Sequence, residues 1–521
     1  MDQVADKTGV VVIGSGFAGS AAADQLVRAG VPVVMLERGP WRDTVPVRSM
    51  GITDPTPFPR DRGMWKTTLR SVHHRWLGRK GLLLNPRGLI ELFVDKGLST
   101  VCSSNVGGGS HVYSGVFRYP QVESFWDGFC PEVTDRSMKP HYESVLRKFD
   151  AIEPSADLKI PHTAAERFGP DDPVGGPTSN PPTWLGFLFP ENVGQPQKVV
   201  NEDGIERWQM DYGDRDGHGF FGAPSGAKTT VDFLYLAPLL GRGLELRDLC
   251  EATAIAAIGD GDTPRYRIDY IDHRTGETRA LQADHVICAA GTMNTLRLLL
   301  RSRDVEHTLS GMPQLGRRLG GNGDFFAFWD YNEPGLDLST GLPFHGGFEL
   351  KNDPSPRMLT GGGWPAAHRY PLPRFLKERI KRAAFTSSMG VDAMDGTVSI
   401  RKGRLRIDFN PDNSPIYAQI KAAFRRMSEV TGRRIFFPRD PITVHALGGA
   451  CLGRDRDHGV VDGNGEIHDL PGLFVADGSV FPRMPGGPPT LAIAGWAERV
   501  GARLAERLRA GAETADRATS A

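Results

Sequence analysis

Two stretches of the chain carry residue types that could do chemistry, and they lie near its opposite ends. Near the start, residues 14–19 read GSGFAG and Glu37 follows. Glycines at this spacing let a backbone turn approach a pyrophosphate, and a carboxylate about 20 residues further on can accept hydrogen bonds from ribose hydroxyls. Near the end, His445 precedes two glycines, and Asp477 follows the apolar residues 474–476. An imidazole can take a proton near neutral pH, so this end could supply acid–base chemistry.

The elements around the first stretch are those that this chemistry needs. Residues 10–13 predict a buried strand, apolar residues then recur at helical spacing up to Gly30, and residues 33–36 predict a second strand. A helix that starts at a glycine turn offers its free N–H groups to a phosphate. The acid at position 37 disfavours a 2′-phosphate, and the flanking residues favour FAD over NAD. We therefore predict that the dinucleotide is held by Gly14, Gly16, Gly19 and Glu37.

The rest of the chain alternates between α/β patterning and insertions. We predict an α/β fold in which a Rossmann-like FAD-binding domain is interrupted by insertions that form a second, α+β substrate domain with a largely antiparallel sheet. The FAD-binding domain is expected to comprise residues 1–45, 96–155, 226–318 and 436–521. The substrate or lid domain is expected to comprise residues 46–95, 156–225 and 319–435. Residues 41–95 show no clear period, and residues from 512 onward are expected to fray.

The composition argues against several classes of protein. Lys+Arg and Asp+Glu both number 62, and a net charge of zero gives no support to nucleic acid or an anionic membrane as the main partner. No apolar run approaches the ~20 residues of a membrane span, so we expect no stable membrane insertion. Five cysteines without a C-x-x-C pair indicate neither a disulfide framework nor a metal site. We expect a cytoplasmic protein with reduced thiols that acts on a small molecule.

Six segments, taken in order, form a more specific pattern than any one of them. Besides GSGFAG they are residues 106–110 (VGGGS), residues 228–232 (KTTVD) with 235–237, residues 289–292 (AAGT), residues 445–453 and residues 476–479 (ADGS). With these segments the chain resembles the glucose-methanol-choline (GMC) oxidoreductases, and among them most closely the bacterial cholesterol oxidases. The resemblance covers nearly all of the predicted FAD-binding domain and fades in the insertions.

The resemblance implies a non-nicotinamide FAD enzyme that oxidises an alcohol. His445 matches the active-site histidine of the family, which takes the hydroxyl proton while the substrate C–H points at flavin N5. The resemblance also implies which residues contact the flavin: the four residues predicted above would hold the ADP half, and Gly291 would lie near the adenosine. The residues implied at the pyrophosphate and ring edge are Gly107, Gly108, Gly109 and Ser110, and those implied beside the ribityl chain are Asp477 and Gly478.

The chain departs from the family at Pro488, where the family carries a second histidine or asparagine opposite the first. Proline has no side-chain donor and no backbone N–H, so it cannot make the missing hydrogen bond to the substrate oxygen. Three hypotheses stay open. His445 acts alone on an activated alcohol; or the scaffold serves another flavin reaction, such as desaturation next to a carbonyl or a redox-neutral step; or another residue makes the bond. Candidates on composition alone are His111, Tyr113, Asn322, Asp324, His345 and His368.

Three further expectations concern the cofactor, the substrate and the electron acceptor. His111 lies one position away from the histidine that carries covalent flavin in some relatives, so we expect FAD to be bound non-covalently. The aromatic residues between positions 325 and 364 favour a bulky, apolar alcohol, although most of them are expected to be core. The sequence leaves open whether electrons pass to oxygen or to another acceptor.

Overall fold

The computed structural model describes residues 6–77, 81–153, 174–175, 183–192, 194–214, 219–259, 265–350, 358–364 and 366–519. Within these residues the α-helices, numbered α1 to α8, are Phe17–Arg28, Val45–Ser49, Met64–Thr67, Asp135–Lys148, Thr292–Asp304, Arg374–Lys381, Pro415–Thr431 and Thr490–Thr519. The strands, numbered β1 to β26, are Asp6–Ile13, Val33–Leu36, Leu69–His74, Leu82–Leu83, Ile90–Val94, Ser99–Ser103, Val116–Phe117, Val174–Gly175, Trp184–Leu185, Lys198–Val200, Glu206–Trp208, Leu244–Arg247, Cys250–Ala257, Tyr266–Asp272, Glu277–Cys288, Arg317–Gly320, Phe325–Asp330, Phe344–Leu350, Met358–Gly363, Ala383–Ser388, Gly396–Arg401, Arg404–Asp408, Ile435–Phe436, Ile442–Thr443, Leu447–Gly449 and Leu473–Val475.

The central sheet joins the two ends of the chain to its middle. Its strand order is β12-β2-β1-β15-β14-β13, and β26 pairs with the end of β15. The strands β12, β2, β1, β15 and β26 run parallel, while β14 and β13 are antiparallel. Strand β2 and the second half of β1 are buried throughout, as expected for parallel strands covered on both faces. The Rossmann-like sheet predicted from the sequence is confirmed.

Four strands of this sheet end level with one another, and this alignment positions the site. Ile13 pairs with Leu36 on one side and with Cys288 on the other, and Cys288 also pairs with Val475. The residues that follow these four strand ends therefore meet at one edge of the sheet. In open α/β sheets, ligands bind at this carboxyl edge.

Two antiparallel sheets lie largely in the region predicted to be the substrate domain, although β25 and parts of β16 and β23 come from residues predicted to belong to the FAD-binding domain. One has the order β23-β17-β20-β19-β18-β8 and the other the order β22-β21-β16-β25. Strands β17, β21 and β22 and helix α7 all lie in this region. The expectation of a largely antiparallel second sheet is confirmed in the described residues.

The structure differs from the prediction in three places. Residues 41–95, which show no period, contain β3, β4 and β5 of a five-stranded sheet, and this sheet continues into β6 beyond the boundary predicted at residue 95. The pattern is hidden because β3 pairs in parallel with β5 across intervening residues rather than in a simple hairpin. The described part of residues 156–225 holds four short strands. Helix α8 continues through the predicted fray to Thr519. None of the described helices is both long enough and apolar enough to cross a membrane.

Candidate active site

One cavity of about 1180 Å³ extends from the carboxyl edge of the central sheet to the antiparallel sheet that contains β17. Most residues predicted for the site line this cavity: Gly14, Gly16, Glu37, Gly108, Gly109, Gly291, His445, Asp477, Gly478 and Pro488. We call the part lined by Gly14, Glu37 and Gly291 the nucleotide end, and the part lined by His445, Phe326 and Phe385 the substrate end. Residues from distant parts of the sequence therefore share one space.

The nucleotide end is made of glycine turns, some tightly packed against neighbouring backbone and some open to the cavity. Gly14 has φ of 102°, and a Cβ there would collide with the carbonyl oxygen of Ala289. A Cβ on Gly108 would lie 2.7 Å from Cα of Gly16, so these two turns pack back to back. A Cβ on Gly109 or Gly291 would meet nothing within 4 Å, and both residues line the cavity. Such bare, concave backbone fits a pyrophosphate.

Glu37 lies where the second strand of the fingerprint ends. Its carboxylate accepts hydrogen bonds from the Ser15 N–H at 3.0 Å, the Ser15 hydroxyl at 2.7 Å and the Gly39 N–H at 2.8 Å. Burial raises the pKa of Glu37, and the hydrogen bonds from Gly39 and Ser15 partly offset this effect. A carboxyl group at the cavity wall retains lone pairs for further donors, as recognition of a ribose requires.

Asp477 follows β26 and holds the opposite side of the same edge. It accepts hydrogen bonds from the Thr295 hydroxyl at 2.5 Å, the Ser479 hydroxyl at 2.7 Å and the Ser479 N–H at 3.0 Å. Burial raises its pKa, and the bonds from Ser479 and Thr295 lower it in part. Asp477 therefore caps a short 3₁₀ turn and also lines the cavity, so it has both a structural and a ligand-facing position.

Three predicted residues support the cavity wall without lining it. Gly19 packs against the carbonyl of Gly14, which brings α1 close to the first turn. The hydroxyl of Ser110 donates to the Gly107 carbonyl at 2.7 Å and accepts from the Val231 N–H at 3.2 Å. The Gly107 N–H donates to the Ser15 hydroxyl at 3.1 Å. The structure thus places Gly107 and Ser110 behind Gly108 and Gly109.

A buried cluster of charged side chains lies beside the nucleotide end. Arg38 contacts Glu91 at 2.6 Å, and Glu251 contacts Arg70 at 2.5 Å and Arg297 at 2.7 Å. Burial alone would raise the pKa of Glu91, but Arg38 and its other cationic neighbours hold it well below the usual range. Residues 46–95 were predicted to belong to the substrate domain, yet Arg70 and Glu91 lie at the nucleotide end.

The imidazole of His445 lies at the substrate end with one nitrogen bonded and the other facing open space. Its Nδ1 lies 3.0 and 3.1 Å from the two carboxylate oxygens of Asp324. Its Nε2 has no hydrogen-bond partner among the described residues, and the side chain lines the cavity with 20% of its surface exposed. The backbone N–H of His445 donates to the hydroxyl of Thr443 at 2.8 Å. This geometry presents a proton-accepting nitrogen to whatever occupies the cavity.

The turn that precedes β17 connects both walls of the substrate end. Asp324 ends this turn, and Asn322 donates to the Gly487 carbonyl at 2.9 Å and accepts from the Gly486 N–H at 3.2 Å. On its far side, Asp392 accepts hydrogen bonds from the N–H groups of Gly321 and Gly323. One turn therefore fixes the histidine on one wall and the segment before Pro488 on the other.

Pro488 lines the cavity directly before α8. The first turn of a helix has unpaired N–H groups and a partial positive charge, which favour negative charge nearby. Thr490, where α8 begins, also lines the cavity. Pro488 itself therefore supplies no side-chain donor, but Thr490 and the positive end of α8 line the same part of the cavity.

The other candidates for a second donor do not meet at His445. His111 is buried, its Nε2 lies 3.0 Å from the Val106 carbonyl and 3.3 Å from Asp232, and it does not line the cavity. The hydroxyl of Tyr113 donates to the Thr229 carbonyl at 2.7 Å. His368 does not line the cavity, and the side chain of His345 is outside the described part of the structure. Asp324 contacts His445 instead of facing it from the opposite wall.

Aromatic side chains form most of the substrate end. Those that line the cavity are Phe220, Phe221, Phe326, Phe328, Trp364, Phe385, Phe436 and Phe437. Phe385 is central, with ring centroids 4.9 Å from Phe220, 5.2 Å from Phe326 and 5.4 Å from Trp364. Phe325 and Trp329, on the other face of β17, belong to the core as expected. The side chains of Phe344 and Phe348 lie outside the described residues.

The sequence analysis missed two residues that organise the site. Ser15 joins Glu37 to the Gly107 turn, but the middle position of a G-x-G motif carries no rule that selects serine. Thr295 fixes Asp477 from the first turns of α5. Asp324 was named only as a possible donor opposite His445. The sequence signal for its observed position is an acidic residue directly before the apolar strand β17.

Family models match three parts of the chain. A model described as an FAD binding domain matches residues 7–71, and two models described as GMC oxidoreductase match residues 191–320 and 393–497. The first match contains the fingerprint turn and Glu37. The last contains His445, Asp477 and Pro488. The families therefore agree with the cavity, whose bare glycine turns and buried carboxylates fit FAD.

Similar proteins cover nearly the whole chain. A cholesterol oxidase of Mycobacterium tuberculosis is 25% identical over 559 aligned residues, which cover 94% of this chain and 90% of that protein. A 2-methyl-1,2-propanediol dehydrogenase of Mycolicibacterium austroafricanum is 23% identical and covers 97% of both chains. Among solved structures, pyridoxine 4-oxidase from Mesorbium loti has a TM-score of 0.55 at 15% identity and covers 95% of this chain and 99% of its own, which shows a shared fold.

Proposed function

Since the chain belongs to the GMC oxidoreductases, a family of FAD-dependent enzymes, we propose that it oxidises an alcohol by hydride transfer to flavin N5 with His445 as the proton acceptor. The observation that carries this proposal is the unpaired Nε2 of His445 in the cavity that also contains the glycine turns and Asp477. An imidazole so placed accepts a hydroxyl proton, and the loss of that proton makes the carbinol hydrogen a better hydride donor.

The chain's own residues divide the work. Bound FAD supplies an acceptor for two electrons and a hydride. Glu37 and the turns at Gly14 and Gly108 hold the nucleotide, and Asp477 holds the chain that links it to the ring. His445 takes the proton, and the positive end of α8 beside Pro488 favours the negative charge that develops opposite the imidazole. The cavity's aromatic walls exclude water from this space.

The substrate that fits this cavity is a bulky, apolar alcohol. Phe326 and Phe328 point to the cavity from one face of β17, and across the sheet they pair with Ser387 and Phe385 of β20. Successive side chains on one face of a strand are about 7 Å apart. The wall next to Asp324 thus continues as two rungs of apolar side chains with one hydroxyl at Ser387. Such a wall suits an extended, flat molecule whose reacting hydroxyl lies at His445.

Non-covalent attachment of FAD is part of this proposal. His111 is buried behind Gly107 and holds the Val106 carbonyl and Asp232. Denaturation should therefore release yellow cofactor from the polypeptide, whereas colour that stays with the chain would show a covalent link. We also propose the cytoplasm as the compartment, because all five cysteines are free thiols.

An alcohol panel tests the proposed function. The holoenzyme is mixed without oxygen with small, aromatic and polycyclic alcohols, and the flavin absorbance at about 450 nm is followed. Bleaching by an apolar alcohol is expected, and the variant His445→Ala should retain FAD while bleaching about 10²- to 10⁴-fold more slowly. An unchanged rate in His445→Ala would remove the proposed role of this residue. Repeating the reaction in air then assigns oxygen or another acceptor.

Pro488 favours a second candidate function. Without a donor on that wall the same scaffold could act on a C–H bond next to a carbonyl or run a redox-neutral reaction. Bleaching by saturated ketones but by none of the alcohols would select desaturation. Turnover of a substrate with no net change in flavin absorbance would select the redox-neutral reaction.

A further inference from the structure

We propose that Asp324 is the positioning residue of His445: an anionic partner that keeps the proton on Nδ1, leaves Nε2 free for the substrate and compensates the charge that the imidazole gains. The catalytic consequence of this role rests on the proposed function. The position of Asp324 relative to His445 rests on contacts within the chain. Neither the family matches nor the sequence pattern assigns it.

Asp324 is a buried carboxylate that only donors surround. Its side chain is 1% exposed, and it accepts hydrogen bonds from the Thr443 hydroxyl at 2.7 Å and the Val444 N–H at 3.1 Å. An ionised carboxylate can only accept, so the Nδ1 of His445, 3.0 Å away, must donate. A neutral imidazole carries one N–H, which leaves the lone pair on Nε2. The tautomer that a proton acceptor needs therefore follows from the Asp324 contact.

The same contact compensates for what Pro488 lacks. When the substrate O–H bond breaks, its proton joins Nε2, the carbinol hydride leaves with two electrons for FAD, and the carbonyl C=O forms. The imidazole is then a cation in a cavity with apolar walls, where an uncompensated charge is costly. The negative charge of the Asp324 carboxylate, in contact with the imidazole, then makes the pair neutral as a whole. A single histidine can thus work without a second polar side chain on the opposite wall.

The position of Asp324 is fixed independently of any ligand. Thr443 bridges its carboxylate to the turn, because the Thr443 hydroxyl also lies 3.0 Å from the Gly321 carbonyl. Asp392 holds the same turn from the other side through Gly321, Gly323 and the hydroxyl of Tyr417. Two buried carboxylates therefore hold the turn, Asp324 from within it and Asp392 from another segment, and of these two it is Asp324 that contacts the imidazole.

This arrangement supplies a matched pair of variants, Asp324→Asn and Asp392→Asn. Each replaces a buried carboxylate that is hydrogen-bonded at this turn, either within it or against it, with a side chain of equal size. We expect Asp324→Asn to keep its FAD and its KM within about threefold while kcat falls about 10²- to 10⁴-fold, because the amide presents an N–H to Nδ1 or fails to balance the charge. Asp392→Asn should lower kcat by less than about fivefold, since it supports the turn alone.

A spectroscopic readout separates this proposal from the proposed function. The proton of Nδ1 bonded to a carboxylate should give a downfield imidazole signal in the proton NMR spectrum of the holoenzyme. We expect this signal in the unmodified enzyme and in Asp392→Asn, and its loss in Asp324→Asn and in His445→Ala. If no alcohol bleaches the flavin, the proposed function fails, and this pattern of signals alone decides on Asp324.

Three results would overturn the role of Asp324. The first is a kcat of Asp324→Asn within about threefold of the unmodified enzyme. The second is an equal loss of activity and FAD in both variants, which marks generic damage to the turn. The third is survival in Asp324→Asn of the downfield signal that His445→Ala removes.

Discussion

The two ends of the cavity are built from different parts of the polypeptide. At the nucleotide end the ligand-facing surface is mostly backbone, with glycines at Gly14, Gly109 and Gly291 and carboxylates held by backbone N–H groups and by the hydroxyls of serine and threonine. At the substrate end the surface is made of side chains, with His445, Asp324 and aromatic rings that come from several sheets. The first surface requires bare backbone and so tolerates few residues. The second is defined by which side chains meet.

This difference predicts how each end responds to change. A substitution at the nucleotide end should affect whether FAD binds at all, because a side chain there would collide with packed backbone, as at Gly14, or would enter the space of the cavity, as at Gly109 and Gly291. A substitution at the substrate end should leave FAD bound and change rate or selectivity, because each side chain contributes separately. Four substitutions test this division, in order of decreasing expected effect.

The substitution Gly14→Ala should abolish FAD binding. Its Cβ would collide with the Ala289 carbonyl, and its φ of 102° is one that L-residues rarely adopt. We expect a loss of affinity above about 10²-fold, equivalent to more than about 2.7 kcal/mol. The measurement is the flavin-to-protein ratio after gel filtration. Gly128→Ala is the control, because Gly128 also has a positive φ, 89°, but open space around its Cβ. Full flavin content in Gly14→Ala would contradict the expectation that substitutions at the nucleotide end prevent FAD binding.

The substitution Phe385→Ala should change selectivity without affecting the cofactor. Removing a ring from the centre of the aromatic wall forfeits about 1.5–3 kcal/mol of apolar burial, so kcat/KM for a bulky apolar alcohol should fall about 10- to 100-fold. For a small alcohol the change should stay below about threefold. Phe375→Ala serves as the control, since Phe375 is 71% exposed and does not line the cavity. An equal loss for small and bulky alcohols would contradict the proposed wall.

The substitution Pro488→Asn should raise alcohol turnover by about 10-fold, because the amide supplies the donor that this wall lacks. The rate of anaerobic flavin reduction measures it. Pro489→Asn places the same side chain one position later and should give no gain. A lower turnover in Pro488→Asn would indicate that the proline shapes the pocket for a different substrate. It would also weaken the conclusion that each side chain at the substrate end contributes separately.

The substitution Glu37→Gln should alter the pH dependence of stability in the apoprotein. Burial raises the pKa of Glu37 above its ordinary value of 4.5, so the folded chain prefers the protonated form. The stability that this group contributes is therefore complete below pH 4.5 and is lost as pH rises through the raised value. Relative to Glu37→Gln, the unmodified apoprotein should therefore lose stability between about pH 5 and about pH 8. Urea unfolding at both pH values measures the difference, and parallel curves would contradict the prediction.

The nucleotide end could be predicted from the sequence because its rules are local. The turn at Gly14, the strand that ends at Leu36 and the acid at Glu37 all lie within one supersecondary unit, and their spacing is set by its geometry. Asp477 required the family resemblance, since an Asp-Gly pair after a strand is also an ordinary turn. The hydrogen bond from the Ser479 N–H to Asp477 shows that Asp477 also forms such a turn.

The substrate end could be predicted only in part, because its contacts join positions that no local rule relates. Asp324 and His445 are 121 positions apart, and Asp324 was considered only as a donor on the opposite wall. The charged cluster brings together Arg38, which follows β2, Glu91 on β5 and Glu251 on β13, and β5 belongs to a different sheet from β2 and β13. Contacts between sheets are set by tertiary packing, which no local sequence pattern records.

The alternation along β17 also limits how this protein can be redesigned. Because the side-chain period of a strand is two, inserting one residue between Asn322 and Phe325 would turn Phe325, Ala327 and Trp329 toward the substrate and bury Phe326 and Phe328. The same insertion would pull the carboxylate away from the imidazole. A one-residue insertion at this turn would therefore change both the substrate-binding surface and the proton-accepting site. An insertion of two residues would keep the same side chains of β17 facing the cavity.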